Sequence, residues 1–496
     1  MKLLNIRQGF ACNSSSTHSI IFSDKKYRDT SEFEFGWNWF TASAEDSKRA
    51  WLGCQILSQL EAHGISDDNA LAIVHSLLGE DVDLTGYVDH QSVISFPMSR
   101  RGVGLDLEFI KDFRDWLLNP KAVIFGGNDN EERDPLWDAE TDINSHYWSL
   151  FVDHYLNVVA RKDSGGYWTL FDKDDGTKVR VSFEKETLGV AAKKADTPEL
   201  VDLKVTDYCT YDCKTCYQGS TRDGKHADKY VISSLLQEMG DAGVFEVAIG
   251  GGEPTLHPDF ERIVQSCVDN GIVPNFTTRD PKWFQRFPNV VPLIGSVAVS
   301  CDDWNAVQKL SKTINDLAQP LRDELRERTV VQHILGLKPE YEVENILHDC
   351  RQSGLPCVLL GYKTTHRGAT QNPHVPKGKT WGQWLVQKLS EDSDREWDNR
   401  RLPNSLGVDT VLAGELQGMV GDVRLTLQEG QFSCYVDAVE KKMYPSSFKL
   451  DQSVDVDPRT HGHSFSSAWR HITSYTPESS YVYEGDGVVR RLQVIH

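Results

Sequence analysis

A strand-like segment runs directly into three closely spaced cysteines in the sequence Asp202-Leu-Lys-Val-Thr206-Asp-Tyr-Cys209-Thr-Tyr-Asp-Cys213-Lys-Thr-Cys216. Three thiolates crowded on one short loop form a set of metal ligands. The other cysteines are dispersed singly along the chain. Such a set leaves one position of a metal centre open. Two kinds of centre fit: an iron–sulfur cluster, or a structural zinc site completed by a fourth ligand such as His226. Zinc sites usually use two separated ligand pairs, which favours the cluster.

Apolar strand-like segments alternate with amphipathic helix-like segments across the central third of the chain. Such alternation is typical of successive βαβ units, which build a parallel sheet with helices on its outside. In parallel α/β folds the active site lies at the carboxyl ends of the strands. The cysteine loop follows the first predicted strand and is therefore expected at that edge. The predicted strands are 202–206, 245–249, 272–277, 296–300, 329–336 and 356–362, and the predicted helices are 229–240, 259–270, 304–317 and 342–353.

A glycine-rich segment, Gly250-Gly251-Gly252-Glu253-Pro254-Thr255, follows the second predicted strand. Glycine tolerates a positive φ and lets the backbone approach a ligand closely. Together with the C-x3-C-x2-C spacing and the six predicted strands, this segment resembles the radical S-adenosylmethionine (radical SAM) superfamily. The resemblance covers about residues 200–370 and implies an α/β fold, a partial (β/α)6 barrel.

The resemblance also implies two cofactors. Cys209, Cys213 and Cys216 would hold three irons of a 4Fe-4S cluster, whose fourth iron chelates the amino and carboxylate groups of S-adenosylmethionine (SAM). The implied chemistry is reductive cleavage of SAM to a 5′-deoxyadenosyl radical, with an electron from a low-potential donor of the flavodoxin or ferredoxin type. The implied SAM contacts are Gly251, Gly252, Glu253, Pro254, Thr277, Ser300, Asp302 and Tyr217.

One departure from the family pattern affects these assignments, and three of the contacts have an alternative interpretation. The family often has an aromatic residue just before the third cysteine, whereas this chain has Thr215, so Tyr217 is expected to take over part of the adenine packing. For Thr277, Ser300 and Asp302, helix capping or loop solvation is an equally good interpretation.

Two flanking regions surround the predicted barrel at residues 196–375. Residues 1–195 are predicted to form an N-terminal α+β domain of unassigned family, with helices at 47–62, 69–78 and 107–118, a strand at 122–125, and a hairpin over 167–183 turned by Asp175-Gly176. Residues 376–496 are predicted to form a C-terminal α+β extension that begins with a helix at 380–389.

Part of this extension, from Gln431 to Phe448, resembles the SPASM or twitch extension of radical SAM enzymes. In that family a cysteine that helps to bind an auxiliary cluster follows a Tyr-Pro pair, but here Ser446 and Ser447 stand in its place and only Cys434 remains. We therefore expect the fold without the auxiliary cluster, or else an unrelated β-hairpin.

Net charge and hydropathy limit the binding partners and the cellular compartment that we expect. The net charge of −20 argues against broad binding to nucleic acid or to anionic membranes, which depends on clustered Lys and Arg. No apolar run is long enough to span a bilayer, and the first residues do not resemble a signal peptide. Free cysteines suit a reducing compartment, so we expect a cytoplasmic protein.

Several polar residues outside the motifs are weaker candidates. The segments 13–19 and 126–132 could form binding loops, although a capped turn and a solvated turn are simpler interpretations. Lys363 and Arg367 follow the last predicted strand and could contact an anionic substrate group. Histidines near strand ends could also touch a substrate, although a lone histidine is more often structural. They are His226, His257, His333 and His366.

Three functional hypotheses follow from the sequence. The leading one is a radical SAM enzyme that modifies a peptide or protein, because relatives with SPASM-type extensions commonly do so. The second is a radical SAM enzyme that acts on a nucleotide-like or other small metabolite. The third is a zinc-stabilised binding module without catalytic activity.

Overall fold

The structure is a computed structural model that divides into two compact units, Met1–Ala192 and Lys193–His496. Within the described ranges, every helix is too short or too polar to cross a lipid bilayer. The described residues are 2–7, 16–22, 26–35, 40–88, 96–100, 104–128, 157–183, 194–393, 401–403, 405–416, 419, 429–459, 463–475 and 492–494.

The first unit mixes helices with small sheets. Strands β1, β9, β8 and β7 form one antiparallel sheet, β2, β6 and β4 form a second, and β3 pairs with β5. The described elements are β1 (Lys2–Arg7), β2 (Ser16–Phe22), β3 (Glu34–Phe35), β4 (Phe40–Ala42), α1 (Glu45–Ala62), α2 (Asp67–Leu78), β5 (Tyr87–Val88), α3 (Leu107–Leu117), β6 (Ala122–Asn128), β7 (Val158–Asp163), β8 (Tyr167–Asp172) and β9 (Lys178–Ser182).

Local predictions for this unit are confirmed. The three predicted helices correspond to α1, α2 and α3, and the predicted hairpin is β8 and β9, in which Trp168 pairs with Val181. The candidate binding loops are only partly covered, because residues 13–15 and 129–132 lie outside the described residues.

The second unit is built on one large sheet. Its described elements are β10 (Leu200–Thr206), α4 (Lys229–Ala242), β11 (Glu246–Gly251), α5 (Phe260–Asp269), β12 (Val273–Thr278), α6 (Trp283–Arg286), β13 (Val297–Ser300), α7 (Trp304–Asn315), α8 (Leu321–Arg328), β14 (Thr329–Ile334), α9 (Glu340–Ser353), β15 (Cys357–Leu360), α10 (Trp381–Ser393), β16 (Leu406–Val408), α11 (Thr410–Leu416), β17 (Ser433–Asp437), β18 (Lys442–Tyr444), β19 (Val454–Asp455), α12 (Phe465–Tyr475) and β20 (Leu492–Val494).

All six strands predicted for the barrel are confirmed, as β10 to β15, and neighbours in this series pair in parallel. The region predicted as a C-terminal extension adds strands to both sides of the series. Strand β17 pairs in parallel with β10, while β16 and then β20 continue the sheet beyond β15. Strands β18 and β19 follow β17 as antiparallel neighbours, so the SPASM-like segment contains a hairpin attached to the barrel sheet.

The two faces of the sheet differ in polarity. On β10, Val201, Leu203 and Val205 are buried in the hydrophobic core that the helices cover, whereas Asp202 and Lys204 point to the opposite face because side chains alternate along a strand. Parallel strands that are packed on both faces are usually almost continuously hydrophobic. A polar inner face therefore indicates that the sheet surrounds a functional interior.

Lys204 connects two strands across this inner face. Its ammonium group lies 2.5 Å from an Asp207 carboxylate oxygen and 2.8 Å from Asp437 Oδ2 on β17, and its side chain is only 8% exposed. The ion pairs raise the pKa of Lys204 although burial alone would lower it. The ion pair between Lys204 and Asp437 thus holds β17 against β10.

Replacing Lys204 with methionine is expected to lower the free energy of unfolding of the second unit by about 3 kcal/mol, because it leaves the buried Asp437 carboxylate without its cation. Urea titration followed by circular dichroism measures the change. Lys312→Met is the control: its partner Asp316 is exposed, so a loss of less than about 1 kcal/mol is expected. Equal losses in the two variants would contradict a structural role for the buried pair.

Candidate active site

The cysteine loop leaves the carboxyl end of β10 and folds back on itself. Cys209 N donates to Thr221 O at 2.9 Å, and Cys216 N donates to Cys213 O at 3.3 Å. Asp212, just before Cys213, has a φ of +50°, a left-handed conformation that Asp adopts more readily than most residues. Cys209 is buried, and the other two cysteines are partly exposed.

The three thiols influence one another electrostatically. Burial raises the pKa of Cys209 and of Cys213, and the neighbouring cysteines raise both values further, while the Arg279 guanidinium opposes the increase. A thiol must lose its proton to bind a metal. Metal binding at this loop is therefore expected to release protons.

The fourth ligand suggested for a zinc site has another partner in the structure. Among the described residues, no group of three or more His, Cys, Asp or Glu side chains is arranged to hold one metal ion. A tetrahedral zinc site needs all its sulfurs about 2.3 Å from one ion, whereas cysteines that ligate different irons of a cluster need not converge on one point. His226, the suggested fourth zinc ligand, instead shares a 2.8 Å hydrogen bond with the Thr206 hydroxyl.

The Gly-Gly-Glu-Pro segment ends β11 directly beside the start of the cysteine loop. Gly252 N donates to Thr206 O at 2.7 Å, and Glu253 N donates to Tyr208 O at 3.0 Å. A Cβ atom on Gly252 would lie 2.2 Å from Tyr208 O, and Gly251 has a φ of +119°. The expected close approach thus occurs between two protein backbones, and only Gly250 faces open space, with no heavy atom within 4 Å of a Cβ at that position.

Glu253 joins the ends of β11 and β12. It is 2% exposed, and its Oε1 accepts hydrogen bonds of 2.7 Å from both the Thr255 and the Thr278 hydroxyls. Its Oε2 accepts a bond of 3.0 Å from Arg279 N. Both carboxylate oxygens thus have partners within the protein, and Pro254 starts the short 3-10 helix Pro254–Leu256 that follows Glu253.

Arg279 lies in this site, although the sequence interpretation did not include it. Its guanidinium forms two parallel hydrogen bonds, of 2.8 and 2.5 Å, with the Asp302 carboxylate after β13. Burial would lower the pKa of Arg279, but Asp302 and the thiolates of Cys213 and Cys209 raise it overall. A permanent positive charge therefore faces the cysteine sulfurs.

The remaining predicted SAM contacts lie on or near the same edge of the sheet. Thr277 and Ser300 are partly exposed on the inner face, on neighbouring strands. Ser300 Oγ donates to Gln332 Oε1 on β14 at 3.2 Å. The structure thus brings the ends of β11 to β14 together around one inner edge, with the cysteine loop beside them.

A segment after β15 holds the cysteine loop from the other side. The Thr365 hydroxyl and His366 Nδ1 both donate to Tyr217 O, at 3.0 and 2.8 Å, and Arg367 Nε donates to Cys213 O at 2.9 Å. Lys363 Nζ lies 4.6 Å from the centre of the Tyr217 ring. Arg367 and His366, which were considered as substrate contacts, therefore bind the backbone of the proposed ligand loop.

Two other histidines have structural partners. His257 Nε2 donates to Ala227 O at 3.1 Å, and its Nδ1 accepts from Asp259 N at 3.0 Å. His333 Nδ1 donates to Cys301 O at 2.8 Å, next to Asp302. Burial lowers the pKa of both histidines, which favours their neutral form.

Residues from the C-terminal region complete the inner surface. Tyr435 on β17 donates from its hydroxyl to Gln218 Oε1 at 3.0 Å, and Lys363 Nζ donates to Ser447 Oγ at 3.3 Å. Cys434 lies on the other face of β17, in the hydrophobic core, where burial raises its pKa well above the usual range. The chain after β15 therefore contributes directly to the surroundings of the cysteine loop.

Comparison with known families gives a match for the central part of the chain. Residues 203–360 match the family model described as the radical SAM superfamily. Among curated relatives, the chain is 33% identical over 74 residues to GTP 3′,8-cyclase of Psychromonas ingrahamii, which is 14% of this chain and 22% of that protein. It is 30% identical over 95 residues to PqqA peptide cyclase of Bradyrhizobium diazoefficiens, covering 19% of this chain and 23% of that protein. The chain thus spans about a fifth of the length of these relatives.

Solved structures with a similar fold include Streptococcus suis SuiB bound to S-adenosylmethionine, with a TM-score of 0.43, 11% identity, and coverage of 58% of this chain and 81% of that one. Native anSMEcpe with bound AdoMet has a TM-score of 0.36 and 12% identity, covering 55% of this chain and 80% of that one. The family match lies on the parallel strands β10 to β15 and includes the cysteine loop, the Gly-Gly-Glu-Pro segment and Arg279. The central part of the chain, residues 203–360, is therefore similar to the radical SAM superfamily.

Proposed function

We propose that the chain is a radical SAM enzyme that modifies a peptide or protein. The observation that carries the proposal is the backbone pairing of two adjacent strand ends, in which the cysteine loop after β10 lies against the Gly-Gly-Glu-Pro segment after β11. This pairing supports one shared site for the three thiols and the inner edge of the sheet. Cys209, Cys213 and Cys216 are the proposed ligands of a 4Fe-4S cluster.

The cluster and SAM, when bound, supply the reductive cleavage that generates a 5′-deoxyadenosyl radical. The chain's own residues hold and orient them. The proposed contacts of SAM border the same edge of the sheet or the end of the cysteine loop, and they are Gly251, Gly252, Glu253, Pro254, Thr277, Ser300, Asp302 and Tyr217.

Charged residues of the site have a separate proposed role. Arg279 offsets negative charge from the cysteine sulfurs, and Asp302 fixes the direction of its guanidinium. Glu253 fixes the two strand ends on which these groups depend. We propose that an external low-potential donor of the flavodoxin or ferredoxin type provides the electron.

A peptide or protein substrate is supported by two observations. One curated relative is named a PqqA peptide cyclase, and the SPASM-like segment contributes Tyr435 and Ser447 to the surroundings of the cysteine loop. Other relatives are named GTP 3′,8-cyclases, which supports the alternative of a nucleotide-like metabolite.

Anaerobic reconstitution with iron and sulfide tests the proposed function. We expect a brown protein with about four irons per chain and release of 5′-deoxyadenosine from SAM after reduction by dithionite. A colourless protein with stoichiometric zinc and no cleavage would contradict the proposal and favour the binding-module hypothesis. About eight irons per chain would show that an auxiliary cluster is present after all.

The substrate class needs a second test. A short open reading frame beside the gene would supply a candidate peptide, and mass spectrometry after turnover with that peptide should show a modified product. Turnover of GTP without turnover of any peptide would instead support the metabolite alternative.

A further inference from the structure

One side chain holds the middle of the cysteine loop. Within the described part of the chain, residues 211–216 receive one hydrogen bond from beyond residue 226, and it comes from Arg367. The Arg367 Nε donates to Cys213 O at 2.9 Å. The other bond to this oxygen, from Cys216 N at 3.3 Å, belongs to the loop itself. The middle of the loop therefore depends on a residue that follows β15.

The backbone on both sides of Arg367 is fixed. Before it, His366 Nδ1 donates to Tyr217 O at 2.8 Å. After it, Gly368 is buried, and its carbonyl oxygen accepts a bond of 3.1 Å from the Tyr362 hydroxyl. A residue between two fixed neighbours has little backbone freedom, so its side chain starts from a defined position. Supporting contacts of this kind give a site its precise geometry.

Arg367 forms no ion pair with a carboxylate of the described residues, unlike two other arginines at this edge of the sheet. Arg279 forms two hydrogen bonds with Asp302. Arg286 pairs with Asp280 at 2.8 Å. The bond from Arg367 to the cysteine carbonyl is thus not a by-product of an ion pair. That carbonyl oxygen is the partner that sets the direction of the Arg367 side chain.

The first and third cysteines have other supports. Cys209 is buried, and its backbone N donates to Thr221 O at 2.9 Å. The carbonyl oxygen of Tyr217, next to Cys216, accepts hydrogen bonds from two side chains after β15. Cys213 is partly exposed and depends on a single side chain from outside the loop.

The position of the Cys213 carbonyl affects where its thiol can lie. The carbonyl carbon and the Cβ atom of a residue are bonded to the same Cα atom, so a fixed peptide plane restricts Sγ to a few rotamer positions. Asp212 and Lys214, on either side of Cys213, are exposed, so burial contributes little to holding this part of the loop. Groups that orient metal ligands commonly contribute about 10- to 100-fold to metal affinity or activity.

We propose that Arg367 is a positioning residue for Cys213 in the binding of the 4Fe-4S cluster. The hydrogen bond from its Nε fixes the peptide after Cys213, so the middle of the loop has its shape before the cluster binds. This inference rests on the proposed function and deepens it, because it gives the segment after β15 a part in holding the cluster. Arg367 acts through Cys213 and is not itself a ligand.

Iron release from the anaerobically reconstituted protein tests this role, with Arg367→Met and Arg367→Gln as a matched pair. Glutamine places an amide nitrogen at the position of the arginine Nε, whereas methionine has the same length and no hydrogen-bond donor. Without SAM, and with an excess of the ferrous chelator bathophenanthroline disulfonate, we expect Arg367→Met to lose iron about tenfold faster than the unmodified protein. Arg367→Gln is expected to lose iron at the unmodified rate. The EPR spectrum of the dithionite-reduced cluster should change in Arg367→Met and stay the same in Arg367→Gln.

Arg262→Met is the control for the loss of a positive charge, because Arg262 is exposed on α5, and it should release iron at the unmodified rate. Circular dichroism of the apo variants verifies their fold, and Arg367→Ala, which also lacks a donor, replaces Arg367→Met if the latter does not fold. Equal iron release by Arg367→Met and the unmodified protein would overturn the proposal. Equally fast release by Arg367→Met and Arg367→Gln would also overturn it, because the charge or size of the arginine, and not its Nε bond, would then be responsible.

The outcome is separable from that of the proposed function. If the unmodified protein takes up a cluster and cleaves SAM while Arg367→Met holds iron equally well, the positioning role alone is refuted. If the unmodified protein takes up no cluster, the proposed function fails first and the role of Arg367 fails with it.

Discussion

Replacing Cys213 with alanine is expected to reduce both bound iron and SAM cleavage to background. Cys213 lies in the middle of the three-cysteine loop, and Arg367 after β15 bonds to its carbonyl oxygen, so the surrounding structure already fixes its position. Loss of one of three ligands leaves the cluster without a full set of protein thiolates, and even changes outside the ligand set commonly cost about 10- to 100-fold in metal affinity or activity. We therefore expect a fall of more than about 100-fold in the rate of 5′-deoxyadenosine formation.

The measurements for Cys213→Ala are iron per chain, absorbance of the iron–sulfur charge-transfer band, and 5′-deoxyadenosine by chromatography. Cys267→Ala is the matched control, because Cys267 is a fully buried cysteine of α5 that packs in the hydrophobic core. It should bind iron as the unmodified protein does, with at most a modest loss of stability. Unchanged SAM cleavage by Cys213→Ala would refute the ligand assignment, and loss of iron in both variants would point to general unfolding.

The sequence predicted the barrel strands correctly because each has a local signal. In β10, apolar and polar residues alternate, and in β12, Phe276 is buried between the partly exposed Asn275 and Thr277. The places of β16 and β17 were not predictable in this way. Val201 pairs with Cys434 across more than half the length of the second unit, and a short apolar strand carries no information about so distant a partner.

The candidate site was predictable where a sequence motif has one common chemical function. Closely spaced cysteines and a Gly-Gly-Glu-Pro segment each restrict the chemistry, so their neighbourhood could be expected before the structure was known. Arg279 was missed because an Arg that follows a strand is usually exposed to solvent. Its place in the site depends on a hydrogen bond to Asp302, which follows the neighbouring strand. A basic residue immediately after Thr277-Thr278 was the available signal.

Glycine at position 252 presents the sharpest steric constraint of the site. Substituting alanine places a Cβ atom 2.2 Å from Tyr208 O and 2.7 Å from Tyr208 C, and both are backbone atoms that no rotamer change can move. The backbone pairs that join residues 206 and 208 to residues 252 and 253 would have to separate. Gly252→Ala is therefore expected to cost about 1–3 kcal/mol of stability. The displaced cysteine loop is also expected to slow SAM cleavage by about 100-fold, since a misplacement near 1 Å can have that effect.

Iron content, SAM binding and the rate of 5′-deoxyadenosine formation in Gly252→Ala measure the result, with thermal unfolding as the stability assay. Gly414→Ala provides the control, because a Cβ at this exposed position in α11 meets no heavy atom within 4 Å. Alanine should there leave SAM cleavage unchanged and raise stability by up to about 1 kcal/mol through its higher helix propensity. If Gly252→Ala binds iron and cleaves SAM like the unmodified protein, the pairing of the two strand ends does not position the site. The glycine would then serve only the turn.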